Sequence, residues 1–147
     1  MQLKAIAMIT RAGFLIILVF MSFSSIAFET TGKINLSNAD DMTSAKNIPL
    51  NMNNKLQGEI SLYHSVGRGG VYAIRGEFLV DNLSNQKKYY KYRVVLKDKK
   101  GVVAQTRGQI HLHAGKNQKI KLSNMVMRQQ DARTISAYEV HIDETNR

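Results

Sequence analysis

The chain has 147 residues, 44% of them apolar, with no Cys, no Trp, one Pro and a formal charge of +10. That length fits a single domain, and the apolar content excludes a chain disordered throughout. The absence of Cys excludes a disulfide framework, a thiolate nucleophile and a thiolate-ligated metal.

In chain order, the first segment reads as a secretory signal peptide over residues 1–27. Lys4 and Arg11 precede the apolar run Phe14–Phe23, and Ser25-Ile26-Ala27 places small residues where signal peptidase cuts. Cleavage after Ala27 leaves residues 28–147 outside the cytoplasm. A retained anchor is the alternative, because the uncharged stretch 12–28 has 17 residues, the lower limit for a bilayer span. Without disulfides the mature chain must be held by one hydrophobic core.

Residues 28–57 are mostly Asn, Ser, Thr, Asp and Lys with isolated apolar positions. They read as a polar tail or linker, with a short strand possible at Lys33–Ser37. A β-sandwich domain is expected over 58–147. Its strands are Glu59–Val66, Val71–Asp81, Tyr89–Lys97, Val102–His113, Gln118–Val126 and Thr134–Ile142, bounded by clusters of Gly, Asn, Ser or Asp. Short strands at this spacing predict an all-β antiparallel sandwich. Met125–Arg133 has helix-like composition but is too short to change that class.

The turn Asp98-Lys99-Lys100-Gly101 sets one register. A type I turn closed by a left-handed Gly pairs Asp98 with Val102. Leu96 then faces Ala104, Val94 faces Thr106 and Tyr92 faces Gly108 on the inner side. Lys97 meets Val103, Arg93 meets Arg107 and Lys91 meets Gln109 on the outer side. A slip of one residue would turn the apolar side chains outward.

Charge is concentrated in the same region. Residues 87–121 carry 11 basic side chains and one acidic, whereas 28–86 and 122–147 are each net −1. Alternation sends Lys91, Arg93 and Lys97 one way, together with Arg107, Gln109, His111 and His113 of the next strand. If Gln118–Val126 continues the meander, Lys119 and Lys121 join them. Arg93 opposite Arg107 is a like-charge pair that costs stability in a sheet, which points to an anionic partner. Tyr89 lies on the same alternation. The plainer reading is a solvated face that keeps the protein soluble. A basic face of this kind attracts an acidic protein, an anionic polysaccharide or a nucleic acid alike.

Chemistry-bearing residues are few. His111 and His113 stand at i, i+2, but a metal site needs further ligands, and nothing in the sequence brings His64, His141, Glu139 or Asp143 to them. The carboxylates are scattered, no Gly-x-Ser-x-Gly turn occurs, and Gly67-Arg68-Gly69-Gly70 lacks the following helix of a phosphate site. It reads as a hairpin loop, and Met42, Met52, Met125 and Met127 as filler. No catalytic residue, metal or cofactor is expected.

The segment 59–142 resembles the small periplasmic proteins of curli assembly that inhibit amyloid formation (the CsgC/CsgH type). The likeness lies in Glu59-Ile60, Gly69-Gly70-Val71, Tyr92-Arg93-Val94-Val95-Leu96-Lys97 and Gly108-Gln109-Ile110-His111-Leu112-His113-Ala114-Gly115. It continues in Lys119-Ile120-Lys121-Leu122, Met125-Val126-Met127 and the final strand. Some family members carry a Cys-x-Cys pair that this chain lacks. The resemblance implies an immunoglobulin-like sandwich of about seven strands, a periplasmic location, no enzymatic activity and no cofactor. It also implies a monomer that holds an acidic or Gln/Asn-rich amyloidogenic subunit, without nucleic acid and meeting the membrane only during export. Lys91, Arg93, Lys97, Arg107, Lys119 and Lys121 are the expected contact residues, with Tyr89 and His111 secondary. A generic periplasmic sandwich module that binds another protein or an anionic envelope polymer is the alternative.

Overall fold

Period-two alternation of apolar residues sorts this chain into two stacked antiparallel sheets. The computed structural model describes residues 27–52 and 55–145, so the expected leader lies outside the described residues except for Ala27. The strands are β1 (Ala27–Lys33), β2 (Lys46–Met52), β3 (Leu56–Val66), β4 (Tyr72–Asn82), β5 (Lys88–Asp98), β6 (Gly101–Leu112), β7 (Asn117–Lys121), β8 (Met125–Val126) and β9 (Ala137–Glu144). Sheet I runs β1-β9-β5-β6, and sheet II runs β2-β3-β4-β7 with β8 also paired to β4. A 3-10 turn at Arg68–Gly70 joins β3 to β4, and α1 (Gln129–Ala132) is a single turn before β9. The fold is the expected all-β, immunoglobulin-like antiparallel sandwich.

Its strands outnumber the expected seven because residues 28–57 are not a tail. β1 pairs with β9 along its whole length, and β2 does the same with β3. Ile48, Leu50 and Met52 of β2 enter the core, and the connection from β1 buries Leu36 and Ala39. Composition misleads here because both strands are sheet edges, which keep polar residues on their wet sides. Pro49, which has no N–H, is tolerated in β2 for the same reason. The expected strand Gln118–Val126 also divides, into β7 and β8.

The core between the sheets joins Phe78 and Tyr92 edge to face at 4.9 Å, with Tyr90, Val94, Leu96, Ile110, Val140 and Ile142 from sheet I. Asn82 ties the sheets at one end: its buried amide donates to the carbonyls of Gln86 at 2.9 Å and His113 at 3.0 Å. Gly58 is required where β3 passes β4, since a Cβ there would stand 2.1 Å from the Leu79 carbonyl oxygen.

The β5–β6 register agrees with expectation from Leu96 opposite Ala104 to Lys91 opposite Gln109. It departs at the turn. A bulge between Leu96 and Lys97 sets Lys97 opposite Val102, not Val103, and Asp98 opposite Gly101. The Asp98 carboxylate decides this by accepting from the main-chain N–H of Lys100 at 2.7 Å and of Gly101 at 3.0 Å. Those bonds, that of Lys100 foremost, hold its pKa below the ordinary value.

Among the described residues several titratable side chains are buried, Glu77, Tyr90 and Tyr92 besides His64. His64, 5% exposed, hydrogen-bonds through Nδ1 to the Tyr72 hydroxyl, and its Nε2 has no partner. Burial lowers the His64 pKa from its ordinary 6.5. As pH falls through that value the unfolded chain takes up a proton that the folded chain refuses, so stability falls. The melting temperature is therefore expected to drop between about pH 7.5 and about pH 5. The drop should be smaller in His64→Gln, compared by circular dichroism under both conditions.

Candidate partner-binding face

Alternation along four paired strands builds the outer face of sheet I as a grid. One row runs Glu29, His141, Arg93, Arg107, and the next Ala27, Asp143, Lys91, Gln109. Between these rows lies an open depression of about 540 Å³, lined by Lys91, Arg93, Arg107, Gln109, His141 and Asp143 over the backbone of Tyr92 and Gly108. Gly108 belongs at its floor for a packing reason. A Cβ there would meet the Tyr92 hydroxyl oxygen at 2.7 Å.

Arg93 and Arg107 are direct cross-strand partners. They occupy a non-hydrogen-bonded site of the β5–β6 ladder, where opposing side chains stand closest. Both are exposed, and among the described residues neither has a carboxylate within ion-pair distance. Tyr89 and His111 extend the same face toward one end, their rings edge to face at 5.0 Å, with the Lys87 ammonium 5.3 Å from the Tyr89 ring centre.

Of the expected contact residues, two are placed on the other sheet and a third is already paired. Lys97 is on the face but paired with the Glu139 carboxylate, which is held below its ordinary pKa mainly by that hydrogen bond. Lys119 and Lys121 are on β7, which pairs with β4 in sheet II, so they lie on the opposite side of the sandwich. Lys119 Nζ is 2.6 Å from Glu77 Oε2 there. The meander ends at β6 because the loop after it carries the chain across to the other sheet. Lys91, Arg93 and Arg107 remain together, with Tyr89 and His111 beside them.

Sequence reasoning weighed Glu139, His141 and Asp143 only as candidate metal ligands and missed their place on this face. They alternate on β9, so their common face was legible, but their position beside β5 was not. They make the face two-sided, with acidic side chains on β1 and β9 and basic ones on β5 and β6. His141 lies between Glu29 at 3.7 Å and Glu139 at 3.9 Å. Among the described residues no group of three or more His, Asp or Glu is arranged to hold a metal ion.

No family model matches the chain, and no curated protein matches it. Among solved structures it is similar to the Avr2 effector protein from the fungal plant pathogen Fusarium oxysporum. The identity is 14% over 86% of this chain and 94% of that one, with a TM-score of 0.42. It is also similar to a DUF1425 family member from Shewanella sp. pv-4, at 15% identity over 79% of this chain and 98% of that one, with a TM-score of 0.34. Neither likeness bears on what this chain binds.

Proposed function

We propose that this protein is a periplasmic, non-enzymatic holding module that keeps an acidic or Gln/Asn-rich amyloid-type subunit unpolymerised through the outer face of sheet I. The observation that carries this reading is the exposed, directly opposed pair Arg93 and Arg107, neither with a carboxylate within ion-pair distance among the described residues. Repulsion between them disfavours the bare sheet. Carboxylates on a passing chain relieve it, and Lys91 adds attraction across the same depression. The site is shallow and its charges are exposed, so contact is electrostatic, fast and reversible. Such contact disfavours the cross-β nucleus without storing the subunit in a tight complex. The resemblance to curli inhibitors supports the same reading.

A module for an anionic envelope polymer remains the second reading, because the three cations suit it equally. Asp143 and Glu139 on the same face weigh against it. A uniformly negative polymer meets repulsion there, whereas a mixed-sequence polypeptide does not.

The test is fibril formation by a curli subunit, followed by dye fluorescence, with the mature chain added well below equimolar. A long delay that shortens as salt rises is expected. Absence of delay at every ratio would overturn the reading. A Lys119→Gln, Lys121→Gln double variant is expected to keep the delay within about two-fold, because both residues lie on the other sheet, away from the proposed contact. Loss of the delay in that variant would move the site to sheet II.

A further inference from the structure

We infer that the partner docks on the edge of β6: an extended segment with acidic side chains at alternate positions adds there as a fifth strand of sheet I. This rests on the reading of the face as a polypeptide-binding surface and names how the polypeptide is held.

The direction of the main chain is fixed by two bonds on the far side of β5. Tyr89 O accepts from Thr145 N at 2.8 Å, and Lys97 O from Ser136 N at 2.9 Å. Odd-numbered residues of β5 therefore turn their main chain toward β9 and its flanks, and even-numbered ones toward β6. Their odd-numbered partners on β6, Gln105, Arg107, Gln109 and His111, turn their N–H and C=O groups away from the sheet. The Gln118 side chain caps one end of this edge, accepting from His113 N at 2.6 Å and donating to His111 O at 3.4 Å. Among the described residues, no hydrogen bond reaches the outward main chain of Gln105, Arg107 or Gln109.

An edge of this kind is a template for strand addition unless it is blunted. β2 carries Pro49 on its edge; β6, 12 residues long, carries no Pro. Charge then selects the occupant. The residues that offer main-chain bonds are those whose side chains lie on the basic face, so a docked strand sets alternate side chains on that face, one of them directly beside Arg107. Acidic residues are favoured at those positions. A second copy of β6 centred on the same residue would set Arg107 against Arg107, a like-charge pair. The edge thus rejects its own copy while accepting an acidic strand.

The probe is a blocked synthetic peptide of about ten residues alternating Glu with Thr, with a Lys-for-Glu peptide as control. Binding is followed by amide hydrogen exchange and by NMR titration. The acidic peptide is expected to slow exchange at Gln105, Arg107 and Gln109 at least ten-fold. Gln105→Pro and Gln109→Pro keep every charge and remove a donor that faces solvent in the free protein. Each is expected to weaken binding at least ten-fold, with circular dichroism checking the fold. Unchanged affinity in both variants and no slowed amides, while the wild type still binds, would overturn edge docking and leave the basic-face reading intact. Failure of the wild type to bind the acidic peptide, or equal binding of the Lys peptide, would overturn both. If the Pro variants unfold, the exchange data on the wild type decide.

Discussion

Exchanging Arg93 and Arg107 for Glu together is expected to abolish the delay of fibril formation, requiring at least about ten-fold more protein for the same lag. The variant reverses two of the three cations around the depression and leaves Lys91 facing two new carboxylates. Both arginines are exposed, so the change acts on the partner rather than on the core, and exposed substitutions shift stability by about 0.5 kcal/mol. Arg93→Glu does bring an acid toward Glu139, whose carboxylate Arg93 helps to keep charged. Arg107→Glu alone, on the edge strand away from β9, is therefore the cleaner companion. It should lose most of the effect while melting at the wild-type temperature. Full activity of the double variant, with an unchanged melt, would remove the arginine pair from the mechanism.

Removing residues 28–57 is expected to destroy the fold, although their composition reads as a dispensable tail. The deletion strips Leu36, Ala39, Ile48, Leu50 and Met52 from the core and uncovers an edge of each sheet at β9 and β3. A fragment of residues 58–147 should show no cooperative melt and should aggregate through those edges. In the intact chain, Leu50→Ala is expected to cost about 2–5 kcal/mol as a buried truncation. Its exposed neighbour should be nearly silent, with Asn51→Ala within about 0.5 kcal/mol. A cooperative fragment melting near the full chain would make β1 and β2 accessory strands.

Much of the face was legible residue by residue. The alternation of Tyr92, Val94 and Leu96 set Arg93 opposite Arg107 even though the turn itself closes differently from expectation, because the side of each strand that is apolar is a local property. The same alternation went astray at Lys119 and Lys121. It gave their side of β7 correctly, as outward, but not the sheet to which β7 belongs. Val95 shows a similar limit. It points to the outer face by alternation and is absent from the inter-sheet core, yet is only 3% exposed. Its row neighbours Glu139 and Gln105 flank it, and Lys97, paired with Glu139, stands next along the strand.

By itself, the sequence determined the all-β class, the inner and outer sides of each long strand and the pairing of β5 with β6. These follow from a two-residue period and from turn chemistry, which act within a few residues of chain. Tertiary structure alone decided that β9 lies beside β5, bringing Glu139, His141 and Asp143 to the basic residues, and that β7 joins β4 instead. It alone decided that β1 and β2 close the sandwich. The physical reason is common to all three. Alternation specifies which side of a strand is apolar, whereas the neighbour of a strand is chosen by the apolar area that non-local pairing removes from water, and no local pattern carries that choice.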